Sequence, residues 1–88
     1  PPMYLDLGQT TVIPHKEVIG IFDLDNTSSS IRTRKTLEQA EQRGEITNLS
    51  EDLPKSFILC QAPQGQQRIY LSQLSTATLR SRVKSLSR

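Results

Sequence analysis

Apolar residues along this chain come in short runs, broken by Gly, Pro and clusters of small polar residues, so brief strands are predicted to outnumber helices. Tyr4-Leu5-Asp6-Leu7 alternates loosely and stops at Gly8, which predicts a first strand and a turn. Thr11-Val12-Ile13 predicts a second strand, ended by Pro14. Val18-Ile19-Gly20-Ile21-Phe22 is apolar at almost every position and predicts a strand buried on both faces. The polar run at 25–30 supplies turn and cap side chains for a helix over residues 31–43. Ile31, Leu37 and Ala40 give that helix a narrow apolar stripe, and Gly44 stands where a left-handed residue ends a helix.

Residues 46–49 predict a short strand leading into an acidic loop at 50–54. Residues 56–61 predict the clearest buried strand, Pro63-Gln64-Gly65 a turn, and residues 68–71 its hairpin partner. Ser75 or Thr76 is expected to cap a final helix running to about Ser87, with Leu79, Val83 and Leu86 on one apolar face. Arg80, Lys84 and Arg88 would then recur on its polar side, either as a solvated face or as a stripe facing phosphate or a partner. Strands, helix, strands, helix in this order predict an α+β domain over residues 3–88, built on a small antiparallel sheet with two helices. Pro1-Pro2 reads as a remnant ahead of the natural start at Met3.

Composition sharpens this picture at one point. A single domain of 88 residues buries only about 60–65% of the surface its unfolded chain exposes, so its own core is slight. Disulfides, metals or self-association commonly strengthen domains of this size. Cys60 is the one cysteine and His15 the one histidine, which excludes a disulfide within the chain and a four-ligand zinc site. Self-association is the route left. Cys60, at the end of an apolar run, reads as a small buried hydrophobe rather than a reactive thiol. With no apolar stretch near the ~20 residues of a membrane span and no signal peptide, a cytoplasmic protein without membrane partners is expected.

The net charge of +2 is unevenly spread: −3 over residues 1–25, +2 over 26–43, −3 over 44–53 and +6 over 54–88. A polyanion would meet the second half of the chain.

One motif suggests catalysis. Asp23-Leu24-Asp25-Asn26-Thr27, directly after an apolar strand, is similar to the first motif of haloacid-dehalogenase-like phosphatases, in which an aspartate attacks phosphorus beside Mg²⁺. That chemistry needs a large parallel sheet and further metal-holding acids, and no Asp or Glu follows Asp52. A calcium loop fails too, because Ser28 and Arg34 stand where Gly and a bidentate Glu are required. His15, beside Pro14 and Lys16, reads as a turn residue, and no Gly-rich phosphate loop is present. The expectation is a protein that is not an enzyme, without cofactor, metal or small-molecule substrate.

Several landmarks occur together: Met3-Tyr4-Leu5-Asp6-Leu7-Gly8, Val18-Ile19-Gly20-Ile21-Phe22-Asp23, Pro54-Lys55-Ser56, Ile69-Tyr70, Leu74-Ser75 and Thr78-Leu79. In order and spacing, from Met3 to about Val83, they resemble the bacterial RemA/RemB regulators of extracellular-matrix (biofilm) genes, and RemB more closely. The resemblance implies a RemA-like fold related to LytTR domains, a closed ring of identical subunits, and transcriptional regulation with DNA held against the ring. A ring would repeat each basic patch, so that weak contacts add. In RemA-type proteins the loop before the Phe57 strand is rich in arginine; here Glu51 and Asp52 stand in that loop and only Lys55 is positive. A further arginine of that family falls on Glu17, with Lys16 beside it.

The candidate DNA contacts are therefore Lys16 and Lys55, helped by Arg32, Arg34 and Lys35 at the start of the first helix, where free N–H groups also favour phosphate. Contacts would go mainly to the backbone, with specificity from DNA shape. The alternative is a homo-oligomeric interaction module of the same family without DNA affinity, which the acidic loop favours.

Overall fold

The structure, a computed structural model, describes residues 3–24 and 31–85. The expected turn and cap at 25–30, together with Leu86, Ser87 and Arg88, lie outside the described residues. The elements, in chain order, are β1 (Met3–Gly8), β2 (Thr11–Pro14), a 3₁₀ turn (His15–Glu17), β3 (Val18–Asp23), α1 (Ile31–Gln42), β4 (Ile46–Asn48), β5 (Ser56–Gln61), β6 (Gln67–Ser72), α2 (Thr76–Ser81) and β7 (Val83–Ser85). They form an α+β domain with two sheets, one of order β2-β1-β7 and one of order β3-β5-β6-β4.

The second sheet is mixed rather than antiparallel. β3 and β6 flank β5 antiparallel, but β4 joins β6 in parallel, with Ile46 opposite Ile69. Its entry is set by the end of α1, a Schellman turn. The Gly44 N–H donates to the Glu41 carbonyl and the Glu45 N–H to the Ala40 carbonyl, with Gly44 at φ +71°. A residue without a Cβ adopts that left-handed backbone with least cost.

Alternation along β5 and β6 divides their side chains between two layers. Ile58 and Cys60 meet Leu5, Leu7, Ile13 and Leu79 between the sheets, with Val18, Ile21, Leu49, Tyr70, Leu74 and Val83 around them. Phe57 and Ile69 face the other way and pack on Ala40 of α1, with Leu24, Leu37, Ile46, Leu59 and Leu71 partly covered. The order is sheet, sheet, helix. Full burial of each Leu or Ile contributes roughly 1.5–3 kcal/mol, so the layer between the sheets, which holds Leu5, Ile58 and Leu79 at 0% exposure, carries most of the stability.

Two further expectations are corrected. β3 is not buried on both faces: it is an edge strand, with Ile19 56% and Phe22 38% exposed. An apolar run cannot by itself distinguish a central strand from an edge left open to a partner. The final helix also stops early. Of Ser75 and Thr76, Ser75 is the residue that caps α2, its Oγ accepting from the Thr78 N–H at 3.1 Å, but the helix ends at Ser81 and the chain becomes β7, pairing antiparallel with β1. Val83 is opposite Leu5 in that ladder and still reaches the core. A six-residue helix has little intrinsic stability, and pairing with β1 satisfies the backbone while burying the same valine.

Ser56 and Ser72 sit opposite each other and are buried at 0% and 2% exposure. The Ser56 hydroxyl donates to the Leu74 carbonyl (2.8 Å), and the Leu74 N–H donates to the Ser72 hydroxyl (3.0 Å). These bonds remove the penalty of burying hydroxyls and pin the turn that leads into α2.

Candidate nucleic-acid interface

The five expected phosphate contacts do not form one cluster. Lys16 lies in the 3₁₀ turn ahead of Val18, and Lys55 just ahead of Ser56. Because β3 and β5 run antiparallel, with Val18 opposite Cys60 and Asp23 opposite Ser56, the two lysines occupy opposite ends of that ladder. At about 3.4 Å per residue the ends are roughly 17 Å apart. Lys16 and Lys55 cannot hold the same phosphate within one subunit.

Lys55 instead belongs with α1. Its N–H donates to the Ser72 carbonyl and its carbonyl accepts from the Leu24 N–H, so it continues the β5 ladder by one residue. Alternation from Phe57 puts its side chain on the helix side of the sheet, and its opposite number Leu24 packs in the helix-side cluster.

On α1, Leu37 and Ala40 point to the sheet. At 100° per residue, Lys35 then points almost straight outward, while Arg32 and Arg34 project to either flank. Arg32 borders a shallow groove with Phe22, Thr36, Phe57 and Leu59; Arg34 borders another with Leu37, Ile46 and Leu71. Arg32, Arg34, Lys35 and Lys55 are all exposed.

These cations oppose the helix dipole. The first turn of α1 contains no acid, and a positive charge there costs about 0.3–1 kcal/mol at low salt. A bound anion would reverse that cost. Glu38 and Glu41 line the Arg34 groove and weaken its potential, so the stronger positive field lies toward Arg32, Lys35 and Lys55. Beside Arg32, Phe22 stacks on Phe57, ring centroids 4.8 Å apart and planes at 21°. This exposed aromatic was not singled out by the sequence, where it reads only as the end of an apolar strand.

Among the described residues, Arg80 and Lys84 do not share a helix face. Arg80 is exposed on α2, whereas Lys84 lies in β7, 3.9 Å from the Asp6 carboxylate. Arg82 holds the same carboxylate at 3.8 Å and donates from Nε to the Asp6 carbonyl at 3.0 Å. Arg82 and Lys84 thus help to fasten β7 to β1 through Asp6. Arg88 is outside the described residues.

Of the phosphatase-like motif, Asp25, Asn26 and Thr27 lie outside the described residues. Asp23 ends an edge strand antiparallel to β5, not a strand of a parallel sheet. Among the described residues no group of three or more His, Cys, Asp or Glu could hold a metal. Cys60 is buried, and burial followed by the nearby Glu17 pushes its thiol up to about 11, far from a nucleophilic thiolate. No described helix is long and apolar enough to cross a membrane.

The sequence matches the model of the RemA-like family, described as extracellular matrix regulatory protein A-like, over residues 4–83. It is 30% identical over 82 residues to extracellular matrix regulatory protein B of Bacillus subtilis (strain 168), covering 93% of this chain and 91% of that relative. The family match runs from the first strand into the last, through every element that builds the two layers. The chain belongs to the RemA-like family of extracellular-matrix regulatory proteins, on the side of its B-type members.

Proposed function

We propose that this protein is a cytoplasmic, non-enzymatic regulator of extracellular-matrix gene expression, which assembles into a ring of LytTR-related subunits and binds DNA through backbone phosphates. The observation that carries this reading is the gathering of Arg32, Arg34, Lys35 and Lys55 on the helix side of the second sheet, with no acid in the first turn of α1. Cations set against a helix dipole are hard to explain by stability alone. Lys16 is left out of the contact, being at the far end of the β3–β5 ladder.

Each subunit would supply a few phosphate contacts, too weak alone, and the ring would sum them. With contacts mainly to the backbone, phasing and deformability of the duplex would give specificity. Binding to matrix-gene promoter duplexes, followed by fluorescence anisotropy at 50 and 200 mM salt, tests this directly. Affinity is expected to fall steeply with salt, and Arg32→Glu with Lys55→Glu to weaken it and flatten the salt slope by about one per lost contact. Binding that is absent at both salts, or unchanged by the double variant, overturns the proposal.

The second reading, an assembly module of the same family without DNA affinity, has its own observation. Glu51 and Asp52 are exposed on the loop before Lys55 and would repel a duplex approaching from that side. It predicts no promoter binding at any salt together with intact self-association.

A further inference from the structure

Two features that the DNA-binding surface does not use fit one another. Leu53 is 81% exposed, more than the other exposed large apolar residues. Its loop is tethered rather than slack. The Ser50 N–H donates to Asn48 Oδ1 at 2.9 Å, the Glu51 N–H to Gln73 Oε1 at 2.7 Å, and the Lys55 N–H to the Ser72 carbonyl at 2.8 Å. A leucine held outward on a pinned loop cannot bury itself by local collapse. Glu51 and Asp52 precede it, both exposed, and Pro54 follows.

The second feature is a pocket of about 490 Å³, lined by Met3, Tyr4, Pro14, His15, Lys16, Glu17 and Pro63. Its walls are chiefly apolar side chains and its exposed charge is Lys16. Glu17, also on the pocket wall, is half-buried and near enough to Cys60 and Tyr70 to push both groups' ionisation up.

Loop and pocket stand at opposite ends of the molecule. Glu51 borders a groove with Leu7, Gly8 and Gln9 at one end of the β1–β2 hairpin, whereas the pocket is at the other end, where Tyr4 pairs with Pro14. The six residues of β1 span about 17–20 Å. Leu53 therefore cannot fill its own subunit's pocket. Another subunit's can.

We propose that residues 51–54 of one copy dock in the Met3/Tyr4/Pro14/Lys16 pocket of a second copy, Leu53 entering the apolar floor while Glu51 and Asp52 face Lys16. The contact joins two different patches, so it is head-to-tail and propagates until the rotation closes it. It rests on the self-assembly part of the proposed function and names the surfaces that would make it. It also explains why this loop is acidic: it meets a lysine of a neighbour rather than a phosphate.

Native mass spectrometry and sedimentation velocity on the full chain test this. Leu53→Ser is expected to weaken self-association at least about tenfold, the effect of losing an apolar anchor at an interface. Circular dichroism should stay unchanged, since the residue is exposed. Lys16→Glu alone and Glu51→Lys with Asp52→Lys alone should each weaken assembly, and the three changes together should restore it. A wild-type protein that stays monomeric overturns both this contact and the ring. A wild-type oligomer indifferent to Leu53→Ser, or charge reversals that are not rescued in combination, overturns this contact and leaves the ring standing.

Discussion

On one side of the β5–β6 hairpin, Ile58 and Cys60 are enclosed by Leu5, Leu7, Ile13 and Leu79 from the facing sheet and α2. On the other, Phe57 and Ile69 share a single helix, which leaves Phe22 and Ile31 exposed along its flank and Leu59 half-covered. The closed side has one cation on the hairpin, the half-buried Arg68, which sits opposite Cys60 and donates to Thr47 Oγ1 at 3.0 Å, while the open side collects the exposed Arg32, Arg34, Lys35 and Lys55. One hairpin thus separates two tasks. The face that excludes water holds the fold, and the face that one helix cannot cover is free to carry charge, because charges there remain hydrated.

The largest test of that division is truncation on the two sides. Leu79→Ala or Ile58→Ala should lower unfolding free energy in urea by about 2–5 kcal/mol. Leu37→Ala, half-buried on the helix side, should cost about 1 kcal/mol. Equal costs would show that the two layers share the load.

Next comes pH. Cys60 belongs to the closed side, and its folded pKa of about 11 exceeds its ordinary value of 9.0 through burial and then Glu17. Above pH 9 the unfolded chain loses this proton while the folded chain keeps it, so stability is full below pH 9 and is lost as pH rises toward 11. Two pH units correspond to roughly 2.7 kcal/mol; solvent screening reduces the expected loss to about 1–2 kcal/mol. Chemical denaturation at pH 8 and 10.5 measures it, and Cys60→Ala should flatten the profile. A flat wild-type profile would mean that water reaches the thiol.

Gly44→Ala probes the open side, where the Schellman turn aims β4. The new Cβ would meet nothing within 4 Å, so the cost of about 1 kcal/mol comes from the left-handed backbone alone. A loss much larger than this, by thermal melt, would show that β4 depends on more than the turn.

The smallest effect is expected at Asp6. Asp6→Asn keeps an acceptor for the Gly8 N–H but removes the ion pairs to Arg82 and Lys84, whose side chains are 35% and 65% exposed. Such pairs contribute under about 1 kcal/mol. A larger loss would make charge, rather than Val83, the main fastening of β7.

Legibility from the sequence followed the range of the interaction. The hairpin of β5 and β6, the stop at Gly44 and the Ser75 cap could all be read, because each depends on residues within a few positions of one another. Val83 could not be placed correctly. Its spacing from Leu79 satisfies a helix, yet its partner is Leu5 at the other end of the chain, and local periodicity contains no information about that pairing. The openness of β3 was hidden for the same reason, since an apolar run looks identical whether the neighbour on its second side is this chain or another. As for the candidate surface, the residues at the start of α1 and Lys55 were legible as charge, but their joint placement was not.

The sequence by itself determined the α+β class, the buried thiol and the uneven charge, which follow from residue type and short-range pattern, and the family, which rests on resemblance along nearly the whole chain. Only the tertiary structure decided which cations stand together: the antiparallel β3–β5 ladder parts Lys16 from Lys55, and the β1–β7 pairing brings Arg82 and Lys84 beside Asp6. The physical reason is that strand pairing joins residues distant in sequence, and its direction determines which end of the molecule each side chain occupies.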